Sequence, residues 1–166
     1  MEDALCAVLL SPNALCKVRQ SALSWRNLET GGVLLGYRDG RTLRVLEAVA
    51  AGADARRTFA GCALRVEEIL SEAERMALQF EPTLDLLGIW HSHPGADPVA
   101  SDQDHETLRQ VVGLNGRPML SLIVSREDPR AAGLWCLFGL DEAPVQAVSV
   151  QGGAEWVVRG VPSAMK

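Results

Sequence analysis

Residues 86–104 read LLGIWHSHPGADPVASDQD, and the reading of this stretch decides the fold. It begins with the apolar run Leu86-Leu87-Gly88-Ile89-Trp90, whose length suits a buried strand. His91 and His93 follow at once. Side chains two apart in an extended chain point the same way, so the two imidazoles share one side. Pro94 favours that backbone, because the residue before a proline is pushed out of the helical region. Gly95 and Pro98 mark a loop. Ser101-Asp102-Gln103-Asp104 then opens a helix to about Val112, with Leu108, Val111 and Val112 on its inner face. Asp104 falls in the first turn, from where its carboxylate can swing back toward the histidines.

Two chemistries fit this pattern. His91, His93 and Asp104 are candidate zinc ligands: zinc accepts imidazole nitrogen and carboxylate oxygen, and a catalytic site leaves the fourth tetrahedral position to water. Ser101 with Asp104 three residues on is equally a capping-box helix start that needs no metal. Two histidines on one face of a strand end, followed by a flexible loop and an acid, favour the metal, and one carboxylate can do both. His105 is the rival third ligand. On a helix it points about 100° away from its neighbour, which favours Asp104. Asp97 and Asp102 read as solvated loop or cap residues.

His-x-His, seven residues, Ser, two residues, Asp resembles the signature of the JAMM (MPN-type) zinc metalloproteases. That family also needs an upstream glutamate just before a glycine-containing apolar strand, and Glu29-Thr30-Gly31-Gly32-Val33-Leu34-Leu35-Gly36 looks like that element. The resemblance spans residues 29–104, nearly half the chain. It implies that His91, His93 and Asp104 hold Zn2+, that Glu29 is the general base and that Ser101 assists the oxyanion. Trp90 and Ile89 are expected to keep the inner side of the metal dry. Glycines 31 and 32 would let the backbone approach closely there. The substrate implied is the amide bond after the tail of ubiquitin or a ubiquitin-like protein, in a precursor or a conjugate, bound by strand addition at a sheet edge. The compact chain looks like the short bacterial members found with ubiquitin-transfer-like enzymes, some of them in antiviral defence. A non-catalytic scaffold or binding module of the same fold is the alternative, and the intact motif argues against it. A nucleoside deaminase needs H-x-E and P-C-x-x-C, and neither is present.

The chain has 166 residues, 48% of them hydrophobic, and a formal net charge of −5. That suits one domain, 1–166, with a proper core, and the acidic balance offers no footprint for nucleic acid. Cys6, Cys16, Cys62 and Cys136 are too scattered for a thiolate zinc ribbon and read as reduced packing residues. Glu2 and Asp3 stand where a signal peptide carries basic residues, and no apolar run approaches membrane-spanning length, so a cytoplasmic protein is expected.

Elsewhere the pattern predicts a strand over 4–10 and a helix from Pro12 to about Arg26, with Trp25 in the core. Residues 33–37 and 42–49 flank Arg38-Asp39-Gly40-Arg41, a hairpin signal. Residues 50–61 read as a loop, with Arg56-Arg57 solvated. Residues 64–80 carry the clearest amphipathic helix, ended by Pro82. Strands are expected at 119–125 and 133–140, weaker ones at 144–151 and 156–159, and a loose end at 163–166. This mixture is α/β or α+β. The family resemblance narrows it to an MPN-type fold, a curved mixed central β-sheet flanked by about three helices.

Overall fold

The computed structural model describes residues 6–24, 29–50, 56–58, 61–63, 66–80, 82–95, 97–125, 127–128, 131–151 and 154–159. Strand β1 (Cys6–Leu10) leads into helix α1 (Pro12–Ser24), which Ser11 opens by accepting the Ala14 N–H on its hydroxyl. β2 (Gly31–Asp39) and β3 (Thr42–Ala50) form the expected hairpin, with Asp39 paired to Thr42 across Gly40-Arg41. Helix α2 (Val66–Ala77) precedes β6 (Asp85–His93), and α3 (Asp102–Asn115) follows it. α3 runs three residues beyond the expected end and stops where Gly116, at φ 73°, adopts the left-handed cap and donates to Val112 O. β7 (Met119–Ser125), β8 (Ala132–Leu137), β9 (Val145–Gln146), β10 (Val148–Gln151) and β11 (Glu155–Val158) complete the large sheet.

One expectation changes. The loop expected over residues 50–61 contains β4 (Arg56–Thr58), which pairs antiparallel with β5 (Gly61–Ala63) as a small separate sheet. Three-residue strands carry too few positions for a period of two to register in the sequence. Trp25 and residues 160–166 lie outside the described residues.

The large sheet has nine strands in the order β10-β11-β1-β3-β2-β6-β7-β8-β9, with parallel pairs at β1–β3 and β6–β7 and antiparallel pairs elsewhere. This curved mixed sheet with its three helices is the expected MPN-type arrangement. α1 packs on one face through Ala14, Leu15, Val18 and Ala22, against Leu34, Val45, Leu87 and Trp90. α2 and α3 cover the other face, where Ala73, Ala77, Leu108, Val111 and Val112 meet Val33, Leu35, Ile89 and Ile123. Each large aliphatic side chain so buried contributes about 1.5–3 kcal/mol. α3 is therefore held firmly by its inner stripe, and its first turn is fixed relative to β6.

β6 is buried on both faces, and a bulge sets its phase. Leu34 pairs with Gly88, but Leu35 pairs with Leu86, so Leu87 is the extra residue. Beyond the bulge the alternation is regular: Trp90 faces α1, and Ile89, His91 and His93 face α3.

Candidate metal centre

The histidines sit at the C-terminal end of β6, the outer edge of the sheet's inner strands. His91 pairs with Gly31 on β2 and with Ile123 on β7. Extending the antiparallel β2–β6 register by two steps puts Thr30 opposite Ser92 and Glu29 opposite His93. Directly opposed residues share a face, so Glu29 arrives on the histidine side although it is remote in sequence. The two glycines permit this approach. A Cβ on Gly31 would stand 2.7 Å from Trp90 O, and one on Gly32 would stand 1.7 Å from Val49 O.

Four side chains meet there. His91 Nε2 and His93 Nε2 are 3.1 Å apart. Asp104 reaches both, with Oδ1 3.1 Å from His91 Nε2 and Oδ2 3.3 Å from His93 Nε2. Glu29 Oε1 lies 4.0 Å from His93 Nε2. Each of the four side chains keeps 13–17% of its surface exposed, so water reaches the cluster. Zinc ligands at about 2.0–2.1 Å in tetrahedral geometry stand about 3.3 Å from one another. The His91–His93 distance and the approach of Asp104 to each imidazole fall near that edge length, Asp104 using a different oxygen for each. Glu29, His91 and His93 also form a group that could hold a metal, with one ligand atom from each lying within 4.8 Å of the others.

The surroundings prepare these groups for a cation. His93 Nδ1 lies 3.2 Å from the Asp97 carbonyl, which can only accept, so that nitrogen carries a proton and Nε2 is the ring atom turned to the cluster, where it donates to Asp104 when the ring is charged and offers a lone pair when it is neutral. The loop carrying Asp97 is tied down by the Ser125 hydroxyl, which donates to Gly95 O. Asp104 is held from behind: its Oδ2 accepts the Ser101 N–H at 2.8 Å, and its own N–H donates to Ser101 Oγ at 3.2 Å. The capping box is therefore real, and the same carboxylate faces both imidazoles. The hydrogen bond to Asp104 raises the His93 pKa against the opposing effect of burial. Burial tends to raise the Asp104 pKa, but the hydrogen bonds to His91 and His93 hold it well below the usual carboxylate range.

The other sequence candidates fall outside the cluster. His105 meets Trp135 edge-on, with ring centroids 6.2 Å apart. The side chains of Asp97 and Asp102 are exposed, and Ser101 is exposed at the head of α3 beside Asp104. Trp90 corrects an expectation: it points away from the histidines into the α1 core, donating from Nε1 to Val49 O at 3.3 Å, so only Ile89 shares their face. β6 lies between β2 and β7, so it has no free edge for an added strand. Sequence reasoning missed the Asp97 carbonyl, a backbone group with no side-chain signal. It also missed Ser92, whose hydroxyl accepts the Thr30 N–H at 3.0 Å.

Residues 12–137 match the profile of the prokaryotic homologs of the JAB domain. COP9 signalosome complex subunit 5 of Candida glabrata is 30% identical over 105 residues, 60% of this chain and 23% of that protein. The CD-NTase/cGAS isopeptidase of Enterobacter hormaechei subsp. hoffmannii is 27% identical over 115 residues, 66% of this chain and 61% of that protein. The chain thus spans less than two thirds of either relative. The solution structure of protein DSY2949 from Desulfitobacterium hafniense superposes with a TM-score of 0.59 at 20% identity, covering 84% of this chain and 88% of the other, a likeness of fold.

Proposed function

The chain belongs to the family of prokaryotic homologs of the JAB domain, and from that premise we propose that it is a zinc-dependent metallopeptidase. Its reaction is hydrolysis of the amide bond after the C-terminal tail of a ubiquitin-like protein. The observation that carries this reading is the meeting of His91 Nε2 and His93 Nε2, 3.1 Å apart, with the Asp104 carboxylate, whose two oxygens lie 3.1 and 3.3 Å from them. In this reading His91, His93 and Asp104 hold the metal, while Glu29 and Ser101 act on the substrate.

When bound, zinc supplies Lewis acidity, which makes hydroxide available near neutral pH. Glu29 takes the proton of the attacking water on its carboxylate and delivers it to the leaving nitrogen. In this reading Glu29, whose Oε1 lies 4.0 Å from His93 Nε2, stands beside the ligand set. Ser101 Oγ accepts the Asp104 N–H through a lone pair, and its own proton remains available to the developing oxyanion. Capping and catalysis are therefore compatible in one hydroxyl. The Asp97 carbonyl and the Ser101 N–H keep His93 and Asp104 aimed inward while charge moves.

The relative named CD-NTase/cGAS isopeptidase supports a conjugate as the substrate; a place in bacterial defence, beside ubiquitin-transfer-like enzymes in the cytoplasm, is part of the proposal. Among the described residues no helix is long and apolar enough to cross a membrane. The decisive experiment combines zinc quantification with cleavage of ubiquitin-like fusions bearing C-terminal extensions. About one zinc per chain is expected. Glu29→Gln should keep its zinc and lose about 10²–10⁴-fold in rate. Wild-type turnover by Glu29→Gln, or equal cleavage of unrelated unfolded peptides, contradicts the proposal. A chain that binds no zinc is the scaffold instead.

A further inference from the structure

The residue between the two histidines makes a contact that no metal site requires. Ser92 is fully buried and points to the α1 side of β6, away from the imidazoles. Its N–H donates to Thr30 O at 2.8 Å, as a regular antiparallel rung would. Thr30 N–H donates to Ser92 Oγ at 3.0 Å. The serine hydroxyl thus holds the backbone amide at the point where β2 begins. Thr30 is fully buried too, and its Oγ1 lies 3.5 Å from Ser21 Oγ on α1.

We propose that the Ser92 hydroxyl is a positioning residue for Glu29: by clasping the Thr30 amide it fixes how far the Glu29 carboxylate reaches toward His93. The inference rests on the reading of Glu29 as the general base. Glu29 adjoins Thr30 in the chain and projects on the opposite face, so the clasp at Thr30 sets its Cα. A general base must stay within hydrogen-bond reach of the proton it takes, about 2.6–3.2 Å. A misplacement of about 1 Å can cost on the order of 10²-fold. Serine suits the task because it is small enough for a fully packed strand and its oxygen accepts without competing for the metal.

The test uses the zinc-loaded full chain. Ser92→Ala should keep its zinc and a KM within about twofold of wild type, lower kcat by roughly 10–100-fold, and speed hydrogen exchange of the Thr30 amide. Ser92→Thr, which restores the hydroxyl, should restore both kcat and protection. Should Ser92→Ala not fold, Ser92→Cys carries the same test, since a thiol fills similar space but accepts hydrogen bonds weakly. In a Glu29→Gln background the loss from Ser92→Ala should vanish, because the serine acts through the glutamate. Undiminished kcat in Ser92→Ala, loss of its zinc, or an equal further loss in the Glu29→Gln background overturns the inference. The two readings fail separately. If Glu29→Gln retains full activity, the base assignment falls; if Glu29→Gln is inactive and Ser92→Ala is normal, only the clasp falls. Where no fusion is cleaved, Thr30 exchange still decides the clasp: unchanged protection in Ser92→Ala overturns it.

Discussion

Asp104→Asn separates the two tasks that the proposal gives to one side chain, capping α3 and holding the metal. Asp104 caps α3 by accepting the Ser101 N–H at 2.8 Å and approaches both imidazoles at 3.1 and 3.3 Å. Asparagine keeps the length and one carbonyl oxygen, so the cap can persist while the charge and the second oxygen are lost. The whole cap contributes about 0.5–2 kcal/mol, and the charge at the helix N-terminus about 0.3–1 kcal/mol. At about 2–4 °C per kcal/mol for a chain of this size, the zinc-free variant should melt within a few degrees of wild type. The metal side is larger. Losing only an outer partner of a ligand costs about 10–100-fold in affinity, so losing a ligand should cost at least about 100-fold. That is about 2.7 kcal/mol. Stabilisation by a ligand follows the logarithm of its concentration over Kd, so the zinc-induced rise in Tm should shrink by about 5–11 °C. Competition titration against a chromophoric chelator gives Kd, and melts with and without zinc give the shift. Wild-type affinity with the full shift would reduce Asp104 to a cap. The third ligand would then be Glu29, the other carboxylate near both imidazoles.

Ser101→Ala should keep zinc and lose roughly 10²–10³-fold in kcat through the missing oxyanion donor, with about 0.5–2 kcal/mol of stability lost as a cap. Normal turnover beside that stability loss leaves Ser101 as a cap alone. Burial pushes the thiols of Cys6 and Cys136 up, so both are neutral in the folded chain where the unfolded chain ionises them near about pH 8.5. Their contribution is complete below that pH and is lost as pH rises toward the folded values. Urea midpoints should therefore fall as pH rises above about 8.5, less steeply in Cys136→Ala; a flat wild-type profile contradicts this.

Much of the site was legible because its chemistry lies in side chains with a strict period. Alternation along β6 put His91 and His93 on one face, and the Ser101–Asp104 spacing placed a carboxylate on the first turn of α3. The same alternation, carried one residue back, turns Trp90 away from the histidines, so that expectation failed on a rule already in hand. Other features carry no such signal. The carbonyl of Asp97 orients His93 whatever side chain that residue bears. Ser92 reads as a spacer between two histidines until its hydroxyl is seen to accept the Thr30 N–H. The hairpin of β4 and β5 is too short to show a period, and the bulge at Leu87 hides within an unbroken apolar run.

What joins the two distant halves of the motif is a single register. Thr30 and Ser92 are 62 positions apart and face each other. Because side chains alternate with a period of two, a slip of one residue between β2 and β6 would carry Glu29 to the α1 face and leave His93 without it. Gly31 and Gly32 resist such a slip. They admit Trp90 O and Val49 O at distances no Cβ allows, and Trp90 Nε1 closes the same seat by donating to Val49 O. Any other residue of β2 brought into that position would clash with backbone. The irregularity that β6 needs in order to bury both faces is displaced to Leu87, on the far side of Gly88 from the histidines. The glycine pair after Glu29 and the Trp-His-Ser-His run therefore act as one device. The glycines fix which residues face each other, and the histidines and glutamate act on the face so aligned.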